Sequence, residues 1–238
     1  MAQANICGPK TSHVDLGSGY RGTLPYPFEI CENDIEMRIK IASVGEAVLR
    51  SQARRLTLEE ILSARIRELI EHMRETLSDA PGVGLAAPQI GEPLQLAIIE
   101  DKAEFQANLT EAELAERGRR PIPFHVLINP EIQFLASPEV AFFEGCLSLP
   151  GFLAMVPRAG KVSVKALNQL GEPVQIQAEG WYARILQHEI DHLQGTLYID
   201  RMWSRSFSSF DTYNKHWKSK PTHQLRKEFG SMERHLGP

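Results

Sequence analysis

The 238-residue chain has few cysteines, and its three are an odd number. That fits no disulfide framework and points to a reducing compartment. No apolar run approaches the roughly 20 residues that a membrane span needs, so no membrane association is expected. Neither sign of charge dominates, because the formal net charge is only −4. A dedicated nucleic-acid binder would carry a strong basic excess, so direct nucleic-acid readout is excluded. The N-terminal stretch contains no secretory apolar core. It is also poor in arginine before Arg21 and carries Asp15, which makes a poor organellar transit peptide. The cytoplasm is the expected location, with a processed organellar form left open. There is no internal repeat and no low-complexity tract. The glycines at 82 and 84 do not extend to G-x-G-x-x-G and do not follow a strand, so they are not read as a nucleotide loop.

What remains is an ordinary globular composition, 42% hydrophobic and 24% charged, long enough for one domain with a real core. Residues 1–34 are rich in Gly, Pro and small polar residues and read as an irregular extension, in which Cys7 and Cys31 receive no role. Residues 35–41 alternate and predict a short edge strand. Thr57 and Glu60 form a capping box. Leu58, Ile61, Leu62, Ile66, Leu69, Ile70, Met73 and Leu77 then recur at helical spacing, which predicts one amphipathic helix over 57–77. Strands are expected over 94–99, 124–128, 131–135 and 140–143, with a break at Asn129-Pro130. Residues 161–167 and 174–178 read as a hairpin around Asn168 to Gly171. Gly82-Val83-Gly84 reads as a tight turn. Residues 101–120 read as a solvated insertion with a short helix after Thr110. The tail from Trp203 holds seven Lys/Arg against three acids and reads as a solvated basic extension at 203–238.

The chemistry concentrates in Gln187-His188-Glu189-Ile190-Asp191-His192. On a helix, positions i and i+4 share a face, so His188 and His192 can hold one divalent metal, with Glu189 placed as a general base. No proline interrupts 181–194, and Gly195 is a plausible stop. Two hydrogen-bonded histidines on a buried helix would give the same pattern. A third ligand separates the readings. Downstream stand His216, His223, His235, Glu228 and Glu233, as a zinc endopeptidase would require. Upstream stands Cys146 in Glu144-Gly145-Cys146-Leu147-Ser148. Cysteine with two histidines leaves one coordination position open, the form of a catalytic metal.

Three ordered motifs, Gly82 to Gln89, Glu144 to Ser148 and Gln187 to His192, resemble those of the peptide deformylases. Weaker similarity runs over residues 41–202, taken as the catalytic domain after an edge begun at 35. The runs at 151–158 and 180–184 resemble the subgroup with mitochondrial, plant and some bacterial enzymes. Departures are Ala47, where proline is common, and Leu149, where valine is common. The pattern of elements reads as α+β, with antiparallel strands around a central metal-binding helix and another helix packed outside, a peptide deformylase-like fold. The resemblance implies hydrolytic removal of the N-formyl group from the N-terminal methionine of nascent peptides. It assigns Cys146, His188 and His192 to the metal, Glu189 to proton transfer, and Gln89 and the Leu147 N–H to the oxyanion. Val83 and Ile185, with Leu149, would line the methionine pocket, Gly84 would pair with the substrate backbone, and Glu144 would orient the ligands. Ligand chemistry favours Zn²⁺, whereas the family implies Fe²⁺, with Ni²⁺, Co²⁺ or Zn²⁺ as substitutes. A ribosome contact through the basic tail is a further expectation. A non-enzymatic relative kept as a binding module is the opposing reading, and the presence of every ligand and the base speaks against it. The sequence sets no oligomeric state.

Overall fold

Residues Leu58–Ile61 form helix α1, entered through the expected capping box, in which Thr57 Oγ1 accepts from the Glu60 N–H and Glu60 accepts from the Thr57 N–H. The single helix expected over 57–77 is two. The chain breaks at Leu62, and Ser63 caps a new helix, α2 (Ala64–Ser78), by accepting from the Ile66 N–H. A serine at the N-cap competes with helix continuation by offering that side-chain acceptor. The break leaves Leu58 and Leu62 exposed, while Ile66, Leu69, Ile70, Met73 and Leu77 are buried. The computed structural model describes residues 39–107 and 109–234. The extension expected over 1–34 lies outside the described residues, as does most of the strand expected over 35–41.

The main sheet is antiparallel and contains β1 (Gly84–Ala86), β2 (Leu96–Asp101), β3 (Ile122–Phe134), β6 (Lys161–Leu167) and β7 (Pro173–Glu179), in the order β1-β2-β3-β6-β7. Its period-two alternation separates two cores. Leu96 and Ile98 of β2, with Val126 and Ile128 of β3, face α2. Ile99 and Leu127 face the other way, onto helix α4 (Gly180–Leu193) through Ala183, Leu186 and Ile190. Thus α4 lies centrally and α2 packs outside, the α+β arrangement expected. The segment 82–84 is not only a turn: Gly84 opens strand β1. The break expected at Asn129-Pro130 is a bulge inside one long strand, with the register shifting between Ile128 and Glu131. Asn129 takes a left-handed φ of 53°, and its amide clamps both the N–H and the C=O of Leu56 at 2.9 and 2.8 Å.

A second sheet contains β4 (Glu139–Cys146), β5 (Leu149–Ala159) and the two-residue β8 (Ser208–Ser209). No strand was expected at β5, because Pro150 and Gly151 at its start mask its apolar run. Asp101 to Arg120 is less solvated than its charge implies. Helix α3 (Glu111–Arg117) is exposed and capped by Thr110 as expected, but Asp101 is fully buried and accepts two bonds from Arg119 at 2.8 Å. The tail also departs from a solvated extension. It folds into α5 (Phe210–His216) and α6 (Thr222–Arg234), and Leu225 and Phe229 of α6 are buried against Ala141 and Met155 of the second sheet. A single buried face on a short basic helix is hard to see when charge dominates the segment. Among the described residues no helix is long and apolar enough to cross a membrane.

Candidate metal centre

Three ligand atoms converge. The donor atoms of Cys146, His188 and His192 all lie within 4.8 Å of one another. Helix α4 supplies the histidines one turn apart on one face. Cys146 comes from the end of β4, where the register shifts between Gly145 and Cys146. A bulge there redirects the side chain, and Cys146 Sγ lies 3.3 Å from His192 Nε2. Of the downstream alternatives, His216, His223 and Glu228 take no part in the cluster. His235 and the Glu233 side chain are outside the described residues. Cysteine and two imidazoles, with His188 Nδ1–H donating to Glu144 at 3.1 Å and so leaving Nε2 for coordination, fit a divalent ion.

Glu144 is buried and holds more than the histidine. Arg158 donates to both its oxygens, at 3.0 and 2.9 Å, and Arg184 donates to it as well. Burial alone would raise this carboxyl, but Arg158, the His188 hydrogen bond and Arg184 together hold it well below the usual carboxylate range. It is therefore an anion across the physiological range. Asp191, on α4, accepts from Arg158 and from two nitrogens of Arg201 at 2.7 Å. These charges are satisfied within the protein, and removing one partner would strand a buried ion. Arg158, Arg184 and Asp191 received no role from the sequence. Arg158 and Arg184 lie in the family-like runs, and their spacing gives no sign that both meet Glu144.

Glu189 lies one position beyond His188. Burial pushes its carboxyl up to about 7, against His188 and Arg158 and with Glu144 adding repulsion. Its Oε2 is buried without a hydrogen-bond partner. Its Oε1 lies on the backbone of Gly84, where an added Cβ would stand 2.4 Å from it. Burial above all lowers His192 well below the usual imidazole range, so its ring is neutral and able to ligate.

Gln89 is 2% exposed. Its carbonyl accepts from the Ala86 N–H at 2.9 Å, which turns its NH₂ toward Cys146 Sγ at 3.5 Å and Ser148 Oγ at 3.3 Å. Leu147 sits in the two-residue turn between β4 and β5, its side chain packed on the α2 core. Its N–H makes no backbone hydrogen bond among the described residues. Val83 and Ile185 come together in one apolar cluster, with Ile185 buried and Val83 half-buried. Leu149 packs instead with Cys146, Ile199, Met202 and the buried Tyr198.

A family model for polypeptide deformylase matches residues 39–207. The chain is 44% identical over 171 residues to peptide deformylase 1A, chloroplastic, of Solanum lycopersicum, a match spanning 72% of this chain and 62% of that protein. It therefore spans less than two thirds of the plant relative's length. It is 44% identical over 184 residues to peptide deformylase 3 of Streptomyces avermitilis, covering 77% of this chain and 80% of that one. A class I type b peptide deformylase structure from Acinetobacter baumannii, bound to Met-Ala-Ser, superposes with a TM-score of 0.62 at 31% identity, over 71% of this chain and all of the other.

Proposed function

The chain belongs to the polypeptide deformylase family, and on that premise we propose that it hydrolyses the N-formyl group from the N-terminal methionine of newly synthesised polypeptides, releasing formate. The observation that carries the reading is the convergence of Cys146, His188 and His192 beside the unpartnered Glu189 Oε2 and the Gln89 amide. A divalent ion held by Cys146, His188 and His192 supplies Lewis acidity. We assign Fe²⁺ in the cell, with Zn²⁺, Ni²⁺ or Co²⁺ able to substitute. Glu189, poised near neutrality, takes a proton from the attacking water as its oxygen adds to the formyl carbon. The Gln89 NH₂ and the Leu147 N–H donate to the oxygen that becomes negative. Glu189 then returns the proton to the leaving amine, and the C–N bond breaks to give formate and a free N-terminus. Glu144 orients His188 throughout.

Val83 and Ile185 form the wall for the methionine side chain. Strand β1 ends its sheet, so Gly84 can offer backbone to an extended peptide along the open edge. We place the protein in the cytoplasm. The catalytic domain is 35–202, and the basic tail 203–238 is a candidate ribosome contact. Removing 205–238 would be a poor test of that contact, because it strips away the buried Leu225 and Phe229. Charge reversal at the exposed Lys215, Lys218 and Lys227 leaves that packing alone. Unchanged ribosome co-sedimentation of this triple variant would end the idea.

The direct test is formate release from a formyl-Met peptide by anaerobically prepared, Fe²⁺- or Ni²⁺-loaded protein, beside Glu189→Ala. Release lost in the variant establishes reaction and base together. No release from metallated wild type would reject the assignment. Cys146→Ala should lose the metal, whereas an endopeptidase ligated from downstream would keep it.

A further inference from the structure

Arg158 and Arg184, which hold Glu144, also form part of the wall of a cleft of about 280 Å³ between the end of α3, the start of β4 and the β7–α4 junction. Three further cations, Arg117, Arg120 and Lys161, line it against two acids, Glu116 and Glu179. Both acids are already engaged, one of them by a cation of the cleft itself. Glu179 pairs with Lys161 at 2.9 Å. Glu116 accepts from Thr222 Oγ1 at 2.8 Å and faces Arg226 at 3.9 Å. Among the described residues neither Arg117 nor Arg120 makes a close ion pair, although the charge of Arg120 acts on Glu179, that of Arg117 acts on Glu113, and Arg117 also bonds the Tyr213 hydroxyl. Arg117 stacks on Trp181 with 5.2 Å between guanidinium carbon and ring centre, and its Nε is buried without a hydrogen-bond partner.

The inner wall is already paired. Arg184 donates to the Val156 and Val140 carbonyls as well as to Glu144, and Arg158 divides its nitrogens between Glu144 and Asp191. The donors left open are therefore those of the outer rim, above all the Arg117 Nε, which is buried without a partner. A buried donor left unpaired, as the Arg117 Nε is, is costly, and guanidinium forks match the oxygens of a phosphate. The volume is ample for a phosphate or a small phosphomonoester and too small for a drug-sized ligand.

We propose that this cleft is a binding site for a phosphate-class oxyanion, with Arg117 and Arg120 as its outer ligands. It is separate from the metal ligands and stands whether or not the deformylase reading does.

Titration of inorganic phosphate into the metal-loaded full-length protein at constant ionic strength, followed by calorimetry, should give one saturable site. Arg120→Glu and Arg117→Gln should each weaken it by about tenfold, the scale of one charge-assisted hydrogen bond. Arg65→Gln, which breaks a distant surface pair with Glu92, should leave it unchanged. A phosphoserine arm separates the sources: tighter binding than phosphate indicates a monoester ligand, weaker binding the free ion. Absence of saturable binding at millimolar phosphate overturns the proposal. So does phosphate binding that survives Arg120→Glu at full strength, because that phosphate would be sitting on the metal. Formate binding the cleft more tightly than phosphate would also overturn it.

Discussion

Gly84 is the residue whose smallness the site depends on most directly. Its φ is unremarkable, so backbone freedom is not the reason for glycine here. A Cβ would stand 2.4, 2.6 and 2.8 Å from Oε1, Cδ and Cγ of Glu189. The carboxyl cannot move away freely, because α4 fixes its backbone and its side chain is buried. Gly84→Ala should therefore displace the base while leaving Cys146, His188 and His192 in place. A misplacement of about 1 Å can cost on the order of 10²-fold in rate. The expected outcome is kcat reduced to that extent with metal content unchanged by elemental analysis. Full activity in the variant would show that Glu189 has room the geometry denies it. At the same scale, Gln89→Ala removes one oxyanion donor and should lower kcat by about 10²- to 10³-fold, whereas Gln89→Glu would place an acceptor where a donor is needed and should fare no better. Formate-release assays on both variants check this.

At the scale of elements, the second sheet and the C-terminal helix are the part charge patterning conceals. Phe229 is 3% exposed. It meets Phe143 edge-on at 6.1 Å and Trp217 at 5.0 Å between ring centres, contacts that add to its area burial. Phe229→Ala should cost about 3–5 kcal/mol if α6 stays docked in the variant. A smaller loss in denaturant unfolding, with α6 becoming protease-sensitive, would mean that the helix detaches as its own unit. Ser63 offers a sharper local test. Its hydroxyl starts α2, and Ser63→Ala should cost about 1 kcal/mol in the same assay. If Ser63→Ala stabilises instead, the break at Leu62 is imposed by packing and not by the cap.

At the scale of the whole molecule, what the sequence discloses follows from what each feature depends on. Helix α4 and its stop at Gly195 were legible because they rest on local periodicity and a left-handed C-terminal glycine, here at φ 71°. The hairpin of β6 and β7 was legible because its turn residues say so locally. The motifs carrying Cys146, His188, Glu189 and His192 were legible as residues. Their convergence needs the bulge at Gly145/Cys146, and a bulge is set by pairing with β5, a strand that local reading missed. The Arg158–Glu144–Arg184 group was illegible for the same reason: its members are contributed by β4, β5 and α4, and nothing in their spacing announces a contact.

This division has a thermodynamic consequence. Cys146 belongs to the second sheet, whereas His188 and His192 ride on the helix packed against the first. A metal between them therefore ties two separately hydrogen-bonded layers together. An ion that binds only the folded chain stabilises it by about 2.7 kcal/mol when its concentration is 100 times Kd. For a domain of this size each kcal/mol shifts Tm by roughly 2–4 °C, so stripping the metal should lower Tm by roughly 5–11 °C. Calorimetry before and after a strong chelator measures it, and readdition of the ion should restore the loss. If Tm does not move, the Glu144, Arg158, Arg184 and Asp191 ion pairs already hold α4 to the second sheet without the metal. In that case Glu144→Gln, which keeps the shape and removes the charge the two arginines share, should destabilise the protein more than metal removal does.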